Sequence, residues 1–263
     1  MTLLDTLEAY LDAVPRACAD VEDIGPFSLF VARRGWPYYA RPRLDIGGGT
    51  VTAADVEALI DAQVSLGVPR KIEWVHETTP QLLAAASALG LTVEQHPLLV
   101  LDGDPVVRPT QAVLRRMKAD DPDLLGVQAA IAVGFANPGT GVGASSIEAR
   151  DATVAGLDHA DHMAEQIASG RTVMVGAIDD LAGPVGGGSY NPCAGAAEIV
   201  GVGVLPAYRR RGIAGALTSV LARQALDTGC ETVFCSADDD DVARVYAASG
   251  FRRVGTACAA EAP

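Results

Sequence analysis

The same order of predicted elements occurs twice along the chain, and this repeat constrains the fold more than any single motif does. Each copy reads helix, strand, helix, strand, with a glycine at the end of each helix. The first copy covers 52–66, 71–75, 80–89 and a strand through Val100; the second covers 212–227, 232–236, 242–249 and a last strand after Gly250. The helix-ending glycines are 23 residues apart in the first copy (67 to 90) and 21 in the second (229 to 250). The repeat therefore predicts two halves of related architecture.

The residues between the copies complete an α/β order. Asp102, Gly103 and Pro105 form a run of turn formers after an apolar strand, so we place the boundary there and predict domains 1–104 and 105–263. Beyond it, the pattern predicts a short strand from Ala112, helices over 121–135 and 151–169, and strands over 172–178, 184–190 and 197–205. The segment 136–146 is too rich in glycine to be regular. We expect a central mixed sheet flanked by helices.

Composition excludes several classes of partner. The chain of 263 residues has 33 acidic and 20 basic side chains, a net charge of −13, which argues against binding the phosphates of nucleic acids. The N-terminus lacks a basic leader and no run approaches 18 apolar residues, so we expect a cytoplasmic protein without a membrane segment. Sequence leaves open whether it is a monomer or a homodimer.

Cysteine and histidine spacing gives no reason to predict a metal. The five cysteines lack paired C-x-x-C spacing, which favours buried apolar positions over a redox or zinc site. His159 and His162 lie three apart on a predicted helix beside Asp158 and Asp161, an arrangement that could hold a cation but is more typical of a solvated helix face. We predict no metal.

Three consecutive arginines, Arg209, Arg210 and Arg211, stand where the second repeat predicts the start of a helix. A helix N-terminus carries about +0.5 of an elementary charge, so basic residues there have the wrong sign unless an anion is bound. Gly212 and Gly215 follow and leave backbone N–H groups open to one phosphate-bearing ligand. Surface ion pairs are the alternative. The glycine-rich 45–50 has no such basic residues, so we interpret it as a turn rather than a second ligand site.

The region from Val106 to Pro263 resembles the GNAT superfamily of acyl-CoA-dependent N-acyltransferases. The family signature is an Arg or Gln, a Gly three positions later and a Gly or Ala two positions after that. Arg209, Gly212 and Ala214 match it. The hydrophobic strand that leads into the signature is matched by Val202, Val204 and Pro206. A second family element, a helix ending in Y-x-x-x-G-F, is matched by 242–251. The resemblance implies tandem GNAT-like domains in which the N-terminal half is degenerate, because it lacks the arginine and glycine cradle.

The resemblance also implies a coenzyme site, with acetyl-CoA as co-substrate. The backbone of the strand before the cradle would bind the pantetheine arm, and the following turn and helix start would bind the pyrophosphate. On this chain the first group is Val202, Gly203 and Val204, and the second is Arg209, Arg210, Arg211, Gly212, Ile213, Ala214 and Gly215. Many members place an asparagine where this chain has Asp239, which puts that side chain's hydrogen bond to the coenzyme in doubt. Asp238 to Asp241 are also well placed to cap the next helix.

Two residues are candidates for proton transfer. Strict alternation puts Glu198, Val200, Val202 and Val204 on one face of the strand. The family resemblance implies that a carboxylate on this strand receives the proton, so Glu198 is our candidate base, against a solvent-facing or structural role. Tyr246 matches the position where the family commonly has a general acid for the leaving thiolate, against a tyrosine that only packs. The nucleophile would be a neutral primary amine, because an ammonium has no lone pair.

These inferences predict an N-acetyltransferase that moves the acetyl group by direct attack in a ternary complex. The alternatives are a non-catalytic acetyl-CoA-binding sensor or interaction module and a transferase for a longer acyl-CoA. Acidic composition favours a cationic acceptor, such as a polyamine, an aminoglycoside or a peptide lysine, although net charge describes the whole surface. We expect acceptor selection to reside in 136–146 and in the aromatic segment 33–42, which contains Trp36.

Overall fold

A computed structural model describes residues 2–33, 37–46, 50–157 and 160–262. Two compact units are present: one comprises residues 1–98 and 254–263, the other 99–253. The helices are α1 (Leu3–Arg16), α2 (Ala53–Leu66), α3 (Gln81–Ala88), α4 (Leu124–Phe135), α5 (Ile147–Val154), α6 (Ala160–Ala168), α7 (Ile213–Asp227) and α8 (Asp240–Ala247). The strands are β1 (Ala19–Ile24), β2 (Phe27–Ala32), β3 (Arg41–Pro42), β4 (Lys71–Val75), β5 (Thr92–Leu101), β6 (Val113–Arg116), β7 (Val173–Asp179), β8 (Gly183–Cys193), β9 (Ala196–Val204), β10 (Thr232–Ser236) and β11 (Phe251–Glu261).

The first unit contains the first copy of the repeat. Strands β1, β2 and β3 form an antiparallel sheet, and β4 pairs antiparallel with β11, where Trp74 lies opposite Cys258. Phe27, Leu59 and Trp74 are among the fully buried side chains of the core. At about 25 cal/mol per Å² of apolar surface, burial of such large side chains dominates the stability of the unit.

The second unit contains a mixed sheet with the strand order β10-β9-β8-β7-β6. Strands β6 to β9 pair antiparallel, whereas β10 pairs parallel with β9 because α7 carries the chain back across the sheet. The core joins strand residues such as Val175 and Tyr190 to Leu217 and Leu221 of α7. This arrangement brings the end of β9 and the start of α7 together.

The second copy of the repeat is observed as α7, β10, α8 and β11, matching α2, β4, α3 and β5 of the first copy. One predicted element is wrong: the single helix over 151–169 is two helices, α5 and α6. Helix α5 ends in a turn in which the Gly156 N–H donates to the Thr153 carbonyl. Asp158 and His159 lie outside the described residues, as do Trp36 and the glycines 47–49.

The compact units divide the chain differently from the predicted boundary after residue 104. The break falls after Leu98, and the last residues of the chain belong to the first unit. The reason is burial, because Cys258 and Ala260 of β11 are part of the first unit's core. The division into halves at 104 and 105 remains a prediction about the repeat.

Candidate active site

Strands β9 and β10 part at the site that the sequence indicates. Their parallel register covers three positions and ends where Phe234 faces Glu198. Strand β9 then continues to Val204 and β10 to Ser236 with no further register partner between the described residues of the two strands. Backbone groups on this edge of β9 are therefore left for another partner. Val202 is half-buried there, and Gly203 and Val204 are buried.

A β-bulge interrupts β9 inside this unpaired stretch. Gly187 faces Gly203 and Ser189 faces Val200, so β9 has one residue more than β8 between these pairs. Gly201 has φ +65, a left-handed conformation that glycine adopts without strain. The expectation that Glu198, Val200, Val202 and Val204 share one face is therefore corrected, because the extra residue ends the strict alternation after Val200.

One face of β9 is closed by helix α4. A Cβ on Gly203 would lie 3.0 Å from the Cα of Ile131, and a Cβ on Gly134 would lie 3.0 Å from the Val204 nitrogen. The two glycines thus allow the helix backbone to touch the strand backbone. Any ligand at this end of β9 must approach along the open edge toward β10.

The N-terminus of α7 is open. Gly212 occupies the N-cap position with φ +77 and provides no side-chain cap, and a Cβ there would lie 2.4 Å from the Pro109 carbonyl oxygen. Among the described residues, none accepts a hydrogen bond from the backbone N–H groups of 210–215. Converging N–H groups at the positive end of a helix dipole are a donor set that fits a diphosphate.

Helix α2, the equivalent of α7 in the first copy, has a closed N-terminus. Thr52 Oγ1 accepts from the Asp55 N–H at 3.3 Å, and Asp55 Oδ2 accepts from the Thr52 N–H at 2.8 Å, which is a capping box. The Asp55 carboxylate is itself an anion at the positive end of that helix. The N-terminus of α7 is therefore free to bind an anionic ligand, whereas the N-terminus of α2 is already occupied by its own capping box.

Arg209 faces away from the open amides. Its Nη2 donates to the carbonyls of Gly134 at 2.9 Å and Asn137 at 2.5 Å, and its Nη1 donates to the Gly141 carbonyl at 3.3 Å. Partial burial lowers the pKa of Arg209. Its charge stabilises the end of α4 and the loop after it, so the structure places Arg209 as a positioning residue for the turn.

Arg210 and Arg211 are exposed at the turn before α7. Arg210 has φ +64, which is unusual for a residue with a Cβ and costs on the order of 1 kcal/mol. Arg211 stacks over the Tyr208 ring, with the guanidinium carbon 4.6 Å from the ring centroid, and donates to the Ala207 carbonyl at 3.3 Å. The Arg210 side chain is exposed beside the open amides, whereas the Arg211 guanidinium would have to leave Ala207 or use its remaining N–H groups to reach a ligand there.

Glu198 and Tyr246 are electrostatically linked through Cys235, which follows the last β9–β10 pair. Burial, with a further contribution from the charge of Glu198, raises the pKa of the Cys235 thiol. Burial also raises the pKa of Tyr246 far above its ordinary value, with a smaller contribution from Cys235. Tyr246 is 7% exposed and packs against Phe251, with ring centroids 6.1 Å apart. The phenol is therefore protonated at neutral pH and can donate a proton.

Asp239 caps helix α8. Its Oδ1 accepts from the Val242 N–H at 2.8 Å, which is the capping role that the acidic run also indicated.

His162 lies beside Gln166, with 3.2 Å between the two side-chain nitrogens. Within the part of the chain that the structure describes, no group of three His, Cys, Asp or Glu side chains is arranged to hold a metal ion.

Two contributions were not found from the sequence. Cys235 was interpreted only as a buried apolar residue, and its electrostatic influence on Tyr246 was not foreseen. The segment 136–146 is irregular, as predicted, but its attachment was not found from the sequence. Gly143 donates to the Pro206 carbonyl at 3.1 Å and Ala207 donates to the Ser145 carbonyl at 3.1 Å. These bonds fix the loop to the turn before α7.

Residues 144–251 match the family described as Acetyltransferase (GNAT) family. The second unit contains a GNAT-family domain. The match covers the open turn, α7, β10 and α8, so it includes every candidate site residue. It confirms the predicted family and, at that level, the predicted class of enzyme, an acyltransferase.

Solved structures extend the GNAT likeness over the whole chain. A GCN5-related N-acetyltransferase from Kribbella flavida is 21% identical, with a TM-score of 0.74, and covers 100% of this chain and 96% of that one. A GCN5-related N-acetyltransferase-like protein from Streptococcus suis is 13% identical, with a TM-score of 0.54 and coverage of 98% and 97%. A tandem GNAT protein from the clavulanic acid biosynthesis pathway is 18% identical, with a TM-score of 0.52 and coverage of 90% and 80%.

These likenesses confirm the predicted α/β fold class and its tandem GNAT-like arrangement. A search of curated proteins finds no match. Among the described residues, no helix has both the length and the apolar character needed to cross a bilayer.

Proposed function

We propose that the protein is an N-acetyltransferase that transfers an acetyl group from acetyl-CoA to a primary amine by direct attack in a ternary complex. The observation that carries the proposal is the open N-terminus of α7 directly after the unpaired end of β9. The amides of 210–215 would hold the diphosphate with Arg210 and Arg211 beside them, and the edge of β9 at Val202 and Gly203 would accept the pantetheine arm.

The donor set fits this coenzyme. A diphosphate needs several donors converging from one side, and α7 provides backbone N–H groups that no described residue uses. The pantetheine arm contains amides, which pair with a strand edge as another strand would. Val204 is less available to the pantetheine arm than the sequence indicates, since its carbonyl already accepts a hydrogen bond from Arg209 Nε at 3.4 Å.

Acetyl-CoA supplies an acetyl group activated as a thioester. The amine nitrogen forms the new C–N bond, the C–S bond breaks, and the electron pair of that bond leaves with sulfur. In this proposal Glu198 takes the proton lost by the amine, directly or through water, and Tyr246 gives its proton to the departing thiolate. The phenol carries its proton at neutral pH, and burial, which raises its pKa, makes it a weaker acid than an exposed tyrosine.

Direct attack is favoured over a covalent enzyme intermediate. Cys235 is a thiol close to both candidate residues, but burial raises its pKa and keeps it in the neutral form. A neutral, fully buried thiol is a poor nucleophile. Cys235 therefore serves as a buried core residue in our account.

The acceptor is proposed only as a class, a primary amine on a small molecule or a peptide. The acidic composition is consistent with an amine that is cationic in solution and loses its proton once it is bound. The segment 136–146, which is bonded to the turn before α7, and the aromatic segment 33–42 remain our candidates for acceptor selection. Five free cysteines accord with the reducing cytoplasm, where we propose that the enzyme acts.

A panel of polyamines, aminoglycosides and lysine peptides, with acetyl-CoA as donor and release of free CoA thiol as readout, tests this proposal. We expect turnover with at least one amine and none for the matched N-acetylated amines. Binding of acetyl-CoA without turnover by any amine would contradict transfer and favour a sensor. Faster turnover with a longer acyl-CoA would contradict the assignment of the acetyl group.

A further inference from the structure

A segment before β6 lies along α7, and it brings one arginine to the open amides. Val106 donates to the Ser249 carbonyl at 3.0 Å and accepts from the Ser219 hydroxyl at 2.5 Å. The Pro109 carbonyl oxygen lies over Gly212. Arg108 therefore lies between two fixed neighbours: Val106, which is hydrogen-bonded to Ser219 in the middle of α7, and Pro109, which contacts Gly212 at the N-cap of α7.

The side chain of Arg108 rests on the first turn of α7. A Cβ on Gly215 would lie 3.3 Å from Arg108 Cγ and 3.6 Å from its Cβ, so the aliphatic stem covers that glycine. Because Arg108 precedes a proline, its backbone is restricted to extended conformations, which limits where the stem can start. The stem therefore lies beside Gly215, whose N–H is one of the cradle amides.

Arg108 has no counter-charge among the residues of this unit that the structure describes. It is exposed, and among the described residues it has no hydrogen-bond acceptor and no carboxylate partner, in a chain with 33 acidic and 20 basic side chains. Nearby acids are already engaged: Asp104 pairs with Arg223 at 2.9 Å, and Asp102 with Arg252 at 3.5 Å. An unpaired guanidinium beside unpaired amides is a set of donors without an acceptor.

We propose that Arg108 is a further coenzyme-binding residue, which donates to the diphosphate from beside the first turn of α7, together with Arg210 and Arg211. This inference rests on the proposed function. It adds a residue outside the signature motif, contributed by the segment that leads into β6. Its guanidinium would neutralise charge on the diphosphate that the amides and the two motif arginines share.

Titration calorimetry of Arg108→Ala with CoA tests the inference. We expect the Kd to rise about tenfold, as for the loss of one charge-assisted hydrogen bond that is partly screened by solvent. Arg108→Lys keeps the charge but not the fork, so its Kd should fall between those of the wild type and Arg108→Ala. Arg116→Ala is the matched control, because Arg116 is an exposed arginine on β6, at the opposite edge of the sheet from β10, and it should bind like the wild type.

Dephospho-CoA, which lacks the 3′-phosphate, identifies the phosphate involved. If Arg108 contacts the diphosphate, Arg108→Ala weakens binding of CoA and dephospho-CoA by the same factor. A loss seen with CoA alone would overturn the assignment to the diphosphate. If the wild type binds CoA and Arg108→Ala binds it with the same Kd, the inference is refuted and the proposed function stays intact. If the wild type does not bind CoA, the proposed function itself is refuted.

Discussion

The guanidinium of Arg209 donates to the Gly134 carbonyl, with 2.9 Å between Nη2 and the oxygen, and so links the turn before α7 to the end of α4. The signature arginine closest to β9 therefore binds the protein's own carbonyls. It orients the turn so that the following amides stay open. The loop after α4, where we expect acceptor selection, is fixed to the same turn.

Replacing Arg209 should loosen this connection. Arg209→Ala leaves the carbonyls of Gly134, Asn137 and Gly141 without their donor, which should lower the free energy of unfolding by about 1–3 kcal/mol. Hydrogen exchange of 137–145 should quicken. The control Arg171→Ala removes a guanidinium that bonds to the exposed side of Gln166 and should change stability by no more than about 0.5 kcal/mol. Equal effects of the two variants in urea unfolding would contradict the positioning role.

Tyr246→Phe keeps the ring in the core and removes the proton. We expect kcat to fall about 10²-fold, as is typical for loss of a general acid, while the Kd of acetyl-CoA stays within about twofold of the wild-type value. Since burial raises the pKa of Tyr246, the wild-type kcat should show no loss from this group up to pH 10. An unaltered kcat in the variant, measured with the amine that the panel identifies, would remove Tyr246 from the mechanism.

Glu198→Gln keeps the shape of the side chain and removes its ability to take a proton. We expect kcat/KM for the acceptor to fall about 10²-fold at pH 7. It should then recover by about tenfold per pH unit up to the acceptor's own pKa, because solution supplies more neutral amine. Steady-state kinetics over this range provide the check. A variant whose pH profile overlies that of the wild type would show that the base is elsewhere.

Alkaline pH should destabilise the first unit through Cys258. Burial, with a smaller contribution from Glu77, raises the pKa of this thiol from 9.0 to about 11. Between those values the unfolded chain loses the proton first, so the contribution to stability is complete below pH 9 and is lost as pH rises through about 11. Cys258→Ala should show a shallower decline than the wild type in urea unfolding from pH 8 to 11. Parallel declines would contradict the assignment.

Much of the fold followed from local pattern. Strands β4 and β10 were predicted with the observed bounds, and α7 began one residue later than predicted, because the helix-ending glycines and apolar spacing are local signals. The hairpin of β1 and β2 was missed, and so was the inclusion of the end of β11 in the first unit's core. Both depend on pairing between residues distant in sequence, which periodicity does not encode.

The helix start at the candidate site was predictable, but its contacts were not. The arginine run and Gly212 predicted where α7 begins, since helix-start signals are local in sequence, and the coenzyme site at that turn stays a prediction. The inward turn of Arg209 and the approach of Arg108 depend on tertiary contacts, whereas the capping by Asp239 is a local bond that the acidic run predicted. The bulge at Gly201 also escaped prediction, because a single glycine in a strand has several structural explanations.

Titration of the protein with acetyl-CoA tests the central claim, that the open N-terminus of α7 holds the coenzyme's diphosphate. The account predicts saturable binding at a single site with a Kd between about 1 μM and 1 mM. Reversal of the local field in the double variant Arg210→Glu, Arg211→Glu should abolish it, while Arg116→Glu leaves it unchanged. Absence of binding by the wild type, or equal affinity in the double variant, would contradict the account.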